Sequence, residues 1–182
     1  MTIREIITSA LRKIGRDDIA IAMDDGDSPV GEQGDVVDTL LYCVNATEDE
    51  LARYYFPLVC SETLYSSNGS LKLSSFKHIP VRIISVKSGR RECGYGLDTD
   101  TLTVPAGQVE VTYNYVPSKK GMSGSSEFFD GNIVVLGAAA EYCLICGEAA
   151  LAEVWETRYR EAIDRAKRQN TKWTHVPPRR WV

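Results

Sequence analysis

Two cysteines at helical spacing are the residues of this sequence best placed for catalytic or metal chemistry. Cys143 and Cys146 form a CxxC motif, and two thiolates on one helical turn could bind zinc or act as a redox pair. A zinc site needs two further ligands, and the sequence has no second CxxC and no HxxxH motif. The segment around them is apolar with helical periodicity. The pattern therefore favours buried thiols, and a thiol or zinc protein remains an alternative.

Other possible ligands are acids and histidines. Four carboxylates close in sequence could bind calcium: Asp24, Asp25, Asp27 and Glu32. Their spacing departs from the EF-hand loop, which needs alternating acids, Gly at position six and Glu at position twelve. His78 and His175 have no Ser, Cys or carboxylate partner in a catalytic motif. We therefore predict a solvated acidic loop, and we expect no catalytic residue, metal site or cofactor.

Charge is distributed unevenly along the 182 residues. The formal net charge is −4, but Asp17–Glu50 contains eleven acids and no Lys or Arg, whereas residues 158–182 contain eight bases and two acids. Segments of opposite charge can pair head to tail between copies, as in a ring or filament. The sequence pI near 5.3 argues against non-specific DNA binding by the whole molecule.

The elements that must position these residues follow from hydrophobic periodicity. We predict a first helix over residues 2–14 with a Thr2–Glu5 capping box and a loop over 17–34. A second helix is predicted from about Gly34 to Pro57; the alternative is two helices divided by a capping box at Thr47 and Glu50. We then predict about four antiparallel strands, the clearest at Gln108–Tyr115, and two further helices from Asn132 to about Gln169. No stretch is apolar over the roughly 20 residues that a membrane span needs.

The expected fold is therefore α+β: a four-helix bundle with a small antiparallel sheet inserted between helices 2 and 3, plus an extended C-terminal arm. In domain terms, residues 1–57 and 127–169 form the bundle. Residues 58–126 form the inserted sheet with a flexible connection, and residues 170–182 form the arm. Five cysteines without the dense spacing of a secreted scaffold indicate reduced thiols in the cytosol.

The arm carries large apolar and basic side chains beyond the last helical period. Trp and Arg are enriched at interface hot spots, and an extended segment cannot bury tryptophans against itself. We predict that the arm docks on a partner. The residues involved are Lys172, Trp173, His175, Val176, Arg179, Arg180, Trp181 and Val182.

The sequence resembles the head–tail connector (adaptor) proteins of tailed bacteriophages, of the tail-tubular-protein-A-like class. The similar segments are TIREIITSALRKIG, LLYCVNATEDELARYYFPL, FKHIPVRIISVKSG, TLTVPAGQVEVTYNYVP and LGAAAEYCLICGEAALAEVWETRYREAIDRA. They extend over residues 2 to about 168. No single motif is diagnostic, and the order of elements carries the resemblance.

The resemblance implies a structural virion protein of the phage neck, made in the host cytoplasm. It would form a homo-oligomeric ring of about twelve copies, dock on the portal through its C-terminal arm, extend the DNA channel, and offer the opposite face to tail or neck proteins. DNA would pass without sequence-specific binding, and no membrane would be involved. A stopper or terminator of the neck is the alternative.

Two further groups of residues acquire expected roles from this resemblance. Basic side chains of the last helix would contact a neighbouring subunit or the portal: Arg158, Arg160, Arg165, Lys167 and Arg168. Acids of the N-terminal stretch would face the channel or a neighbouring subunit: Asp24, Asp25, Asp27, Glu32, Asp35, Asp38, Glu48, Asp49 and Glu50. If the acids pair with a neighbour, assembly should weaken in high salt. Assembly indifferent to salt would leave only the channel placement.

Overall fold

Along the chain, three α-helices precede a β-rich segment and two α-helices follow it. The computed structural model describes residues 1–171, so the predicted docking arm from Lys172 to Val182 lies outside the described residues. The described helices are Ile3–Lys13 (α1), Asp17–Asp24 (α2), Glu32–Glu50 (α3), Gly131–Ile145 (α4) and Ala149–Thr171 (α5). A π-helical turn, Leu51–Tyr55, continues α3.

Strands and one short 3-10 helix occupy the chain between α3 and α4. The strands are Leu58–Ser66 (β1), Ser70–Lys72 (β2), Pro80–Ser88 (β3), Arg91–Glu92 (β4), Gly96–Leu97 (β5), Thr101–Thr103 (β6) and Gly107–Tyr115 (β7). The 3-10 helix is Leu73–Ser75. One sheet has the order β1-β7-β3-β4 and the other has the order β2-β6-β5. All pairings in both sheets are antiparallel.

These elements form two compact units. The first contains Met1–Thr47 and the chain from Lys120 onward, and the second contains Glu48–Lys119. In the first unit, α1 begins with the predicted capping box, in which the Thr2 hydroxyl accepts from the Glu5 backbone N–H while the Glu5 carboxylate accepts from the Thr2 N–H. One face of α1 is fully buried: Ile3, Ile6, Ile7, Ala10 and Leu11.

Small side chains allow close helix packing around α4 in the first unit. Gly137, Ala138, Ala139 and Ala140 are all buried. A Cβ built on Gly137 would lie 2.5 Å from Thr47 Cγ2 and 3.0 Å from Tyr159 Cε2. The absence of a side chain at this position therefore lets α3 and α5 both approach α4.

The core of the second unit lies on one face of the larger sheet. It is built from buried residues on β2, β3, β6 and β7, together with the two residues Phe76 and Val104 of the connecting segments. Strict alternation on β7 puts Val109, Val111 and Tyr113 on the buried side. The Phe76 ring meets the Tyr113 ring edge-on, with centroids 5.2 Å apart.

The predicted four-helix bundle with one small sheet between helices 2 and 3 is wrong. The described chain has five α-helices and two antiparallel sheets, and the strands follow the third helix. The extra helix is α2, which lies in the segment predicted to be a loop. Asp17 and Asp18 occupy its first turn, where negative carboxylates stabilise the helix by interacting with the positive end of its dipole. Its buried Ile19, Ala20 and Met23 supply the packing that so short a helix needs.

Candidate functional site

The two buried thiols of the first unit are poor nucleophiles. Cys43 and Cys143 are buried, whereas Cys146 is exposed. Burial raises the pKa of Cys43 to about 12 and is also the main cause that raises the pKa of Cys143 to about 11. A thiol with so high a pKa stays protonated at neutral pH, and the thiolate is the reactive and metal-binding form. Cys143 therefore packs inside the helical unit, and the CxxC motif gives little support to the thiol-protein alternative.

Among the described residues, no group of three or more His, Cys, Asp or Glu side chains is placed to hold a metal ion. In the acidic loop proposed as a calcium candidate, Asp24 forms an ion pair with Arg12. The Arg4 guanidinium donates to the backbone oxygens of Met23 and Asp27, the latter at 2.9 Å. Arginines of α1 thus fix the end of α2 and the start of the loop.

A polar cluster in the second unit surrounds Tyr113. The Tyr113 hydroxyl donates to Glu62 Oε1 at 2.5 Å and accepts from the His78 backbone N–H at 3.3 Å. The Lys77 N–H donates to the same carboxylate at 3.2 Å. The His78 ring stacks on Tyr115 with centroids 4.0 Å apart. These contacts tie the segment before β3 to β1 and β7, so His78 has a packing role.

The nine predicted acids do not form one continuous face. Asp25, Asp27, Glu32, Asp35 and Asp38 are all exposed and have no ion pair within the described chain. Asp24 is paired with Arg12. Glu48 is only 1 % exposed, Glu50 is half-buried, and Asp49 pairs with Arg53 at 2.6 Å. Of these nine acids, the exposed ones without an ion pair therefore lie between residues 25 and 38.

The five predicted bases of α5 are all exposed. Arg160 pairs with Glu156 one turn earlier on the same helix, at 2.6 Å. Arg158 lies over the Trp155 ring, with its Cζ 4.8 Å from the ring centroid. Arg165 has no ion pair within the described residues, and Lys167 and Arg168 extend the same basic helix.

Trp155 is the centre of a cluster that the sequence reasoning missed. The residue is 8 % exposed, and Lys13 Nζ of α1 lies 5.4 Å from the ring centroid. Arg158 of α5 is the second cation on the ring. We name Lys13, Trp155 and Arg158 the indole–cation cluster. One feature of the sequence could have indicated this cluster: Trp155 is the only tryptophan outside the arm, and a base follows it three residues later.

An open sheet edge distinguishes the second unit. β1 pairs with β7 over nine consecutive residues without a bulge, and within the described chain it has no partner strand on its other side. Val59 and Tyr65 are exposed on this strand, and Glu62 is its only charged residue. Long, regular edge strands are templates for pairing with another chain.

Comparison with protein-family models gives no match for this chain. Comparison with curated proteins gives no significant relative. Within residues 1–171, no helix combines the length and the apolar composition required to cross a membrane.

Proposed function

We propose that this protein is a structural subunit of a homo-oligomeric ring, acting as a head–tail connector in a tailed bacteriophage. The observation that carries the proposal is that exposed acids and bases without ion pairs lie in the same compact unit. Exposed acids without ion partners lie between residues 25 and 38, whereas Lys13, Arg158 and Arg165 have no carboxylate partner among the described residues. Such a subunit gains favourable contacts when copies join head to tail.

The tight packing around the small side chains of α4 favours a mechanical role for this protein over a catalytic one. Close helix packing at Gly137 gives a rigid helical unit, and the thiol pKa values leave no activated nucleophile at Cys43 or Cys143. A rigid unit with charged faces suits repeated subunit contacts. The sequence resemblance to connector proteins supplies the biological setting of the proposal.

In the proposed assembly, the arm beyond Thr171 docks on the portal, and the ring extends the DNA channel. Acids that are not used between subunits repel the phosphates of passing DNA, because retention of DNA needs basic contacts. The open β1 edge offers a place where an extended segment of the next neck protein adds a strand. Glu62 is its only charge, so little electrostatic repulsion opposes that pairing.

The experiment uses the portal ring of the phage that encodes this chain. The full chain should co-sediment with the portal, and electron microscopy should show an added ring of about twelve copies. A chain ending at Thr171 should keep its helical circular dichroism but lose portal binding. A W173A/W181A variant should reproduce this loss, whereas Y54A/Y65A, which removes two exposed aromatics of the second unit, should bind normally.

Two outcomes would overturn parts of this proposal. A full chain that stays monomeric in the presence of the portal would refute the connector function. Normal portal binding by the chain ending at Thr171 would refute only the role of the arm.

A further inference from the structure

The indole–cation cluster places two positive charges on one aromatic ring without a neutralising carboxylate. Lys13 Nζ and Arg158 Cζ lie 5.4 and 4.8 Å from the Trp155 centroid. Neither base has an ion pair within the described chain. A cation within about 6 Å of an indole centroid is attracted to the electron-rich face of the ring. The two like charges repel each other, so an external anion would stabilise the cluster.

Burial of the indole adds a second, independent observation. Trp155 Nε1 is buried and has no hydrogen-bond acceptor in the described residues. Buried indole N–H groups usually find an acceptor. The ring is therefore held by packing and by its two cations.

The matching negative surface lies on α3 of the same unit. Asp35 and Asp38 are exposed, have no ion pair within the described chain, and are separated by three residues on one helix. Such neighbours have Cβ atoms about 5–6 Å apart. Tyr42, the next residue on this face, is 61 % exposed. We name Asp35, Asp38 and Tyr42 the α3 acidic face.

We propose that the α3 acidic face of one copy docks on the indole–cation cluster of the next copy. This inference rests on the proposed ring and specifies its subunit contact. Charge complementarity identifies a second copy of this chain as the partner of the cluster. Two carboxylates on one helix would meet two cations, each about 5 Å from one ring centroid. The contact is heterologous because it joins different surfaces of identical subunits, and repetition of it closes a ring or grows a filament.

A charge-exchange experiment tests this contact in the full chain. K13E/R158E and D35K/D38K should each assemble at a half-assembly concentration more than about 100-fold above that of the unaltered protein, because like charges would face each other. An equimolar mixture of the two variants should assemble again, with alternating subunits, since each altered surface then meets a complementary one. The readouts are sedimentation velocity and negative-stain microscopy, with and without the portal ring.

The matched control is K72E/K87E, which makes the same charge change on exposed lysines of the second unit. It should assemble like the unaltered protein, and circular dichroism checks that every variant is folded. A second readout is the salt dependence of assembly: the unaltered protein should dissociate when salt is raised from roughly 0.1 M to about 1 M, because screening weakens contacts between exposed charges.

Three results would overturn the inference. Normal assembly of K13E/R158E would remove the cation cluster from the interface. Failure of the mixture, with both variants folded, would show that the two surfaces do not meet. Loss of binding to a duplex DNA by K13E/R158E, with assembly unchanged, would identify the cluster as a phosphate contact. In each case the unaltered protein would still form rings, so the proposed function would stand.

Discussion

Gly137 is the position where one added methyl group should be most informative. A Cβ there would lie 2.5 Å from Thr47 Cγ2, 3.0 Å from Tyr159 Cε2 and 3.2 Å from Thr47 Oγ1. The Thr47 hydroxyl donates to the Cys43 carbonyl at 2.9 Å, so the methyl group cannot rotate away without loss of that hydrogen bond. Gly137→Ala must therefore move α3 or α5 relative to α4.

Two opposing contributions determine how much Gly137→Ala changes the free energy of unfolding. Overpacking a well-packed core costs typically 1–3 kcal/mol, and the severity of the 2.5 Å contact puts Gly137 near the upper end. Replacing a helix-interior Gly by Ala contributes about 1 kcal/mol in the opposite direction. We expect Gly137→Ala to lower the free energy of unfolding by about 1–2 kcal/mol, or the Tm by roughly 2–8 °C for a chain of this length.

The assay is urea unfolding of four proteins: the unaltered chain, Gly137→Ala, Thr47→Ser and the double variant. Thr47→Ser removes the clashing methyl group and keeps the hydroxyl. The cost of Gly137→Ala should therefore fall by about 1 kcal/mol in the Thr47→Ser background. Gly94→Ala, where the new Cβ meets nothing within 4 Å, should change stability by less than about 0.5 kcal/mol. Additive effects of Gly137→Ala and Thr47→Ser would refute the reasoning.

Three further predictions concern buried groups. Tyr113→Phe should cost about 1.5–3 kcal/mol in urea unfolding, because the Glu62 carboxylate loses a 2.5 Å hydrogen bond. Iodoacetamide should label Cys146 in the folded protein and leave Cys43 and Cys143 unlabelled in mass spectrometry. Because burial raises the pKa of Cys43 to about 12, stability should fall as pH rises above about 9, where the unfolded thiol ionises first.

Controls separate these effects from general damage. Tyr65→Phe alters an exposed residue of β1 and should leave stability within about 0.5 kcal/mol. Cys43→Ala should show a smaller decrease in stability between pH 9 and pH 11 than the unaltered chain. Full loss of stability on Tyr65→Phe, or rapid labelling of Cys43 before unfolding, would contradict the described packing.

The sequence predicts those elements whose local signals agree with their packing. The Thr2–Glu5 capping box and the apolar stripe of α1 point to the same helix. Strict alternation identifies β7. By contrast, α2 was missed because its acids and the following glycine resemble a loop, whereas tertiary burial of Ile19, Ala20 and Met23 stabilises it.

The site residues were harder to predict because their significance depends on partners distant in sequence. Lys13 and Trp155 are 142 positions apart in the chain, and only the packed helices bring them to 5.4 Å. Glu62 could not be assigned to Tyr113 because strand β1 was not predicted; its alternation mixes Ser, Thr and Cys with apolar residues. The acids were identified by composition, but composition cannot separate exposed Asp35 and Asp38 from buried Glu48.

The mass of the full-length assembly is the most direct measurement of the proposed ring. Mass photometry and negative-stain microscopy of the unaltered chain, with the portal ring, should show a closed ring of about twelve copies at roughly 0.1 M salt. The number of free subunits should increase at about 1 M salt, because screening weakens contacts between exposed charges. A monomer at both salt concentrations, or a ring unaffected by salt, would contradict head-to-tail assembly through complementary charges.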